Sequence, residues 1–171
     1  LKELVERNDL KIIYEDPRTS TPGQGLLLWV KQVYGDKAPA AWEQLAKKTV
    51  TVTKGWSEAY GMFLKGQSDL VLSYTTSPAY HRLAEHNLQY RAALFSEGHV
   101  RQVEVAAQLK NAAQPKLAQQ FMQFVLSDRF QNLIPEGNWM YPVTNVALPK
   151  DFNQNETPAK TLSVDAKKLG T

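Results

Sequence analysis

Cysteine is absent from all 171 residues. Its absence excludes disulfides, thiolate nucleophiles and thiolate metal sites together. Histidine is scarce, with only His81, His86 and His99. His81 and His86 stand five positions apart, which on a helix turns them about 140° from each other, so no metal site is expected and solvated or capping roles are. No apolar run approaches the roughly 18 residues that a membrane span requires, so no part of the chain is expected to be membrane-embedded. Charge of one sign is also not gathered anywhere. The 20 Lys and Arg against 17 Asp and Glu leave a net charge of +3, spread in pairs such as Lys47-Lys48 and Lys167-Lys168. A nucleic-acid face needs clustered phosphate contacts, so nucleic acid is not an expected partner.

Signatures of catalysis are missing as well. Gly25 is not followed by Lys and then Ser or Thr, so the glycines near residue 23 are not a Walker loop. Ser20, Ser73 and Ser77 could be nucleophiles with His81 or His99, but there is no Gly-x-Ser-x-Gly elbow to present them. Glu15 and Asp16 point to opposite sides of a strand and cannot act as a carboxylate pair. No catalytic residue is expected, and the chain is not read as an enzyme.

What is present is enough for a core: 43% of the residues are hydrophobic, and a chain of this length can build at least one compact α/β unit. A strand, polar loop and helix recur three times. Ile12-Ile13-Tyr14 leads through Glu15 to Thr21 into a helix carrying Leu26-Leu27-Leu28-Trp29-Val30, with Thr21 as expected cap and Pro22 at the first helical position. Val50-Thr51-Val52-Thr53 leads through Lys54-Gly55-Trp56 into a helix opened by Ser57. Leu70-Val71-Leu72 leads through Ser73 to Thr76 into a helix opened by Ser77-Pro78. Later, Val103-Glu104-Val105-Ala106 reads as a strand. Pro115 to Ser127 reads as a helix with a stripe of Leu117, Phe121, Phe124 and Val125, and Phe130 to Ile134 as a short helix.

Strands alternating with helices predict a mostly parallel sheet flanked by helices, with right-handed crossovers. Ligands of such sheets sit beyond the carboxyl ends of the strands. Three loops therefore deliver Ser20, Thr21, Trp56, Tyr74, Thr75, Thr76 and Ser77 to one edge. The segment Arg18 to Gly25 sets hydroxyls and open amides at a helix N-terminus, which favours an anionic group. Trp56, Tyr74 and Tyr80, with Trp139 and Tyr141 from a later loop, suit a flat ring, a cationic one included. The residues alone thus support a small planar ligand with an anionic end.

Four motifs carry a resemblance: Asp16-Pro17-Arg18-Thr19-Ser20-Thr21-Pro22-Gly23, Thr51 to Tyr60 around Lys54-Gly55-Trp56, Leu72 to Tyr80 around Tyr74-Thr75-Thr76-Ser77-Pro78, and Gly137-Asn138-Trp139-Met140-Tyr141-Pro142. In this order they resemble the thiamine-binding receptors of ABC importers, within the type II periplasmic binding protein superfamily. The resemblance implies a two-lobed periplasmic receptor that needs no cofactor. It closes on thiamine, thiamine monophosphate or thiamine diphosphate and delivers the vitamin to a membrane permease and its ATPase. It assigns Ser20 and Thr21 to the phosphate or hydroxyethyl end, Trp56 and Tyr74 to Ser77 to the rings, and Tyr80 and Trp139 to the aromatic walls.

Set against that family, residues 1–95 are expected to form an α/β ligand-binding lobe of three βα units, 96–135 a crossover toward a largely absent lobe, and 136–171 an aromatic loop and incomplete C-terminal segment. Helical apolar spacing from Leu1 and the aperiodic run from Lys150 suggest a C-terminal portion of a longer protein. A receptor of the same fold for iron or a polyamine, or a cytoplasmic sensor domain, remains the alternative.

Overall fold

A computed structural model describes residues 1–150, 152–154 and 156–162. Part of the expected 136–171 segment lies outside the described residues. The chain falls into two units. Among the described residues, unit 1 holds Leu1–Ser73, Leu94–Gln102 and residues 158–162, and unit 2 holds Tyr74–Ala93 and the described part of 103–157.

Unit 1 contains strands β1 (Ile12–Glu15), β2 (Thr49–Thr53) and β3 (Leu70–Val71), with helices α1 (Lys2–Glu6), α2 (Thr21–Tyr34), α3 (Ala38–Lys48) and α4 (Trp56–Leu64). The sheet is parallel throughout, in the order β2-β1-β3. The chain steps outward from β1 to β2 through α2 and α3, then back across β1 to β3 through α4. Right-handed crossovers in opposite directions place α2 and α3 on one face and α4 on the other. Side chains along β1 divide accordingly. Ile12 joins Leu26, Val30, Ala41 and Leu45 in the core under α2 and α3, with Tyr14 packed against it. Ile13 and Glu15 face the other way, toward α4, whose buried residues are Ala59 and Tyr60.

Lys48 at the end of α3 is buried. Its ammonium donates to the carbonyls of Leu4 and Val5 at 2.7 and 2.8 Å, and to that of Arg7. The charge thus sits at the C-terminal end of α1, where open carbonyls favour a cation.

A second pair of strands, β4 (His99–Val100) and β5 (Thr161–Leu162), is also parallel. The strand expected at Val103 to Ala106 does not form. Val103 and Val105 are exposed, and β4 lies just before them. Alternation alone does not make a strand without a neighbouring edge to pair with, and β5, which supplies that edge to His99 and Val100, comes from a polar stretch with no strand signal of its own.

Unit 2 contains α5 (Ser77–Ala84), α6 (Pro115–Val125), α7 (Asp128–Gln131) and α8 (Ile134–Gly137). The expected stripe on α6 is there, but Leu117, Phe121 and Phe124 are exposed, and Phe124 meets the ring of Phe130 at 5.6 Å. The third βα repeat is divided, with β3 in unit 1 and α5 in unit 2.

The expected solvated or capping roles give way to ring contacts at His81 and at the half-buried His99. His81 is buried in unit 2. His99 lies against Trp29 and Phe95, and its Nε2 accepts from the Phe95 amide at 3.0 Å. Burial lowers the His99 pKa, in keeping with a neutral ring that accepts at Nε2.

Candidate functional site

At the carboxyl end of β1 the chain makes a tight turn before α2. Asp16 Oδ1 accepts from the Arg18 amide at 2.8 Å, and the Asp16 carbonyl accepts from the amides of Thr19 and Ser20. Ser20, and not Thr21, caps the helix: its backbone is extended and its Oγ accepts from the Gly23 amide at 3.4 Å. The shift by one residue runs against the bias that Pro22 places on Thr21. A residue before proline is biased away from helical geometry but not barred from it, and here the stronger Ser cap takes the extended position. Thr21 becomes the first helical residue, and its carbonyl accepts from the Gln102 side chain at 2.9 Å.

Gly23 sits in the first turn because nothing larger fits. A Cβ there would stand 2.4 Å from the Glu15 carbonyl oxygen and 2.9 Å from backbone atoms of Asp16 and Pro17. This close approach brings the open amides of α2 against the end of β1. Arg18, expected to strengthen an anion site, instead folds onto Asp16 with contacts of 2.5 and 2.9 Å. That pairing holds the Asp16 carboxyl at about 2, well below the ordinary carboxylate range.

The second loop joins the first directly, since the Thr19 hydroxyl donates to the Lys54 carbonyl at 2.6 Å. Trp56 lies at the first position of α4, one residue before the expected start at Ser57, with Gly55 as cap. Its indole stacks on Tyr60, one turn along the helix, at 4.7 Å and 22°. Its Nε1–H donates to Ser73 Oγ at 2.8 Å. Trp56 is therefore fixed on one ring face and at its polar edge. Ser73 was not among the expected ligand residues, and its role depends on a contact 17 positions away that local pattern does not reveal.

Glu15 ends β1 on the face that α4 covers, at the edge where α4 begins. It is 0% exposed, and neither carboxylate oxygen has a partner among the described residues. Burial pushes its pKa up to about 7.

In unit 2, the Ser77 amide donates to the Tyr74 carbonyl at 3.0 Å, so Tyr74 to Ser77 turn tightly into α5. Tyr74, Thr75 and Ser77 are half-buried. Thr76 is buried, and its hydroxyl points at the Met140 sulfur at 3.8 Å, which ties this turn to the aromatic loop. Tyr80 is exposed at its outer edge and meets Trp139 edge-on, with centroids 5.2 Å apart. Trp139 has a φ of +54°, a left-handed backbone uncommon for so bulky a residue. Such strain persists where surrounding contacts fix it, as ring packing on Tyr80 does here.

The expected residues thus form two constellations: Ser20, Thr21 and Trp56 with Ser73 in unit 1, and Tyr74 to Ser77 with Tyr80 and Trp139 in unit 2. Each combines hydroxyls at a helix start with paired aromatic rings. Residues 1–136 match the family described as bacterial extracellular solute-binding protein. A thiamine-binding periplasmic protein of Escherichia coli (strain K12) is 68% identical over 163 residues, covering 95% of this chain and 50% of that protein. Proteins of the same name from Brucella abortus and Haemophilus influenzae are 52% and 51% identical, covering 96% and 94% of this chain and 50% and 48% of their own lengths. A solved structure described as a periplasmic thiamin binding protein superposes with a TM-score of 0.96 at 64% identity, over 99% of this chain and 54% of that one. The chain spans about half the length of the curated relatives it matches. With the family matched over most of its residues and the parallel sheet and its loops in place, the chain belongs to the bacterial extracellular solute-binding proteins.

Proposed function

We propose that this chain is part of a two-lobed periplasmic receptor that captures thiamine and its phosphate esters and passes them to an ABC permease served by an ATPase. It acts as a binding protein and not as an enzyme. The observation that carries the reading is the held aromatic pair Trp56 and Tyr60, placed at the carboxyl edge of a parallel sheet beside the capped N-terminus of α2. Ring stacking suits a planar heteroaromatic cation, and a helix N-terminus suits a phosphate or hydroxyl. The names and high identity of the relatives support the same ligand.

In this reading Ser20 and Thr21 hold the phosphate or hydroxyethyl end. The cap uses one lone pair of Ser20 Oγ as acceptor and leaves its O–H to donate to a phosphate oxygen. In unit 1 Trp56 offers a face to a ring of the vitamin; in unit 2 the Tyr74-Thr75-Thr76-Ser77 turn offers hydroxyls and a ring, with Tyr80 and Trp139 as an aromatic wall. Titration calorimetry of the intact protein with thiamine, its mono- and diphosphate, spermidine and a ferric chelate tests the assignment. Tight binding of the vitamin forms, with none of the others, is expected. Tighter binding of spermidine or iron overturns it.

A further inference from the structure

Behind Tyr80 lies a set of residues that no ligand role accounts for. His81, the next residue on α5, is 0% exposed. Burying an imidazole removes its polar atoms from water and is tolerated only where they are bonded. Its Nδ1 lies 2.6 Å from Glu85 Oε2, one helical turn on. A carboxylate can only accept, so Nδ1 carries the proton and donates. The ring stacks on Tyr90 at 4.0 Å and 32° and receives the edge of Tyr80 at 5.1 Å and 74°. Tyr80 in turn meets Trp139 at 5.2 Å and 80°. Tyr90, His81, Tyr80 and Trp139 therefore form one continuous run of ring contacts within unit 2.

The end of α5 holds this run in place. The amides of Glu85 and Asn87 both donate to the His81 carbonyl, at 3.2 and 2.8 Å, across the left-handed His86. That turn brings Glu85 back to His81 and sends the chain on to Tyr90. The Glu85 carboxyl is held below its ordinary pKa, first by His81 and to a smaller extent by Tyr80, so both rings lie within reach of this carboxylate.

We infer that His81 and Glu85 are a positioning pair: they set the plane of the Tyr80 ring and, through it, Trp139, so that the aromatic wall is formed before ligand arrives. The inference rests on the vitamin-binding reading of Tyr80 given above. Neither residue touches ligand. Their effect on affinity passes through Tyr80, because orienting an exposed tyrosine in advance removes the cost of ordering it on binding.

A double-mutant cycle in the intact protein separates this role from simple stabilisation. Glu85 is half-exposed, so Glu85→Ala leaves the fold standing. Thiamine affinity by calorimetry is expected to fall about fivefold in Glu85→Ala, with Glu85→Gln recovering part of the loss because its carbonyl still accepts from Nδ1. Tyr80→Ala is expected to lose more, about tenfold or beyond, and adding Glu85→Ala to it should cost nothing further. The near-UV circular dichroism of the Tyr80 and Trp139 pair should change in Glu85→Ala without ligand. An unchanged affinity in Glu85→Ala, or an equal loss whether or not Tyr80 is present, overturns the positioning role and leaves the vitamin-binding reading intact. If Tyr80→Ala itself binds thiamine normally, the placement of Tyr80 at the ligand fails, and the positioning role fails with it.

Discussion

Glu15→Gln isolates a charge that the fold excludes. The carboxyl lies between β1 and α4, fully buried, with neither oxygen bonded among the described residues. No ion pair among the described residues relieves it. On α4 the titratable residues are Tyr60 and Glu58, the latter turned to the Lys54 amide, and β2 and β3 carry no charged residue. In the loop that follows, Asp16 and Arg18 neutralise each other. Glu15 therefore keeps its proton to about pH 7, against an ordinary value of 4.5. The unfolded chain loses that proton near 4.5, so between 4.5 and 7 the folded state binds more protons and stability falls as pH rises. At about 1.4 kcal/mol per pH unit, the full fall is about 3 kcal/mol, complete slightly above pH 7. Glutamine matches the neutral acid in shape and cannot ionise. Urea unfolding of both proteins at pH 4.5, 6 and 8 should give similar stabilities at the lowest pH and an advantage for Glu15→Gln that grows to about 3 kcal/mol at pH 8. Parallel pH profiles would show that Glu15 ionises without cost, through a partner or through water, and the burial argument would be wrong.

Gly23→Ala drives a methyl into the backbone of Glu15 and Asp16, which cannot move aside as a side chain can, and should cost about 3 kcal/mol in urea unfolding; an unchanged midpoint would refute the close approach of α2 to β1. Ser20→Ala removes the cap, about 1 kcal/mol of stability, and should weaken binding of the phosphorylated vitamin more than of thiamine. Equal losses for both ligands would confine Ser20 to capping. Ser73→Ala leaves the Trp56 indole N–H without its acceptor and should weaken thiamine about fivefold, read by calorimetry and by a shift in tryptophan emission. Unaltered binding and emission would mean that this bond does not orient the ring.

The sequence made legible those features whose cause is local. Ile12 to Tyr14, Val50 to Thr53 and Leu70 to Leu72 are apolar or alternating runs closed by polar turns, and all gave parallel strands with helices between them, the third shortened to Leu70–Val71. The starts of α2, α4, α5 and α6 were readable to within one residue, helped by Pro22, Pro78 and Pro115, which limit where a first turn can begin, whereas Phe130, expected to open a helix, lies inside α7, which begins at Asp128. What escaped depends on distant partners. Val103 to Ala106 has the alternation of a strand but no paired edge among the described residues, whereas His99 and Val100 have one because Thr161 and Leu162 lie alongside, 60 and more positions later. His81 is buried where the sequence suggests a solvated or capping histidine, and Glu85, one turn along α5, and Tyr90, beyond the left-handed His86, are among the partners that make its burial tolerable.

Trp56, singled out from its place after Gly55, has surroundings in the fold that the local sequence does not reveal. Its position after Gly55 suggests an indole at a loop edge, weakly attached until ligand arrives. In the fold it is the first residue of α4, with Tyr60 stacked on one face and Ser73 at its N–H. Those contacts contribute about 1 kcal/mol each to holding the ring in the unliganded protein. The ordering cost of the side chain is thereby met during folding and not on binding, which favours affinity. Because Tyr60 occupies one face, a planar ligand can stack only on the other. Truncating Trp56 therefore lowers stability and affinity together, and a loss of both does not distinguish a structural tryptophan from a binding one. Ser73 provides the distinction: removing its hydroxyl releases the orientation of the indole while leaving the ring and its stack on Tyr60 in place.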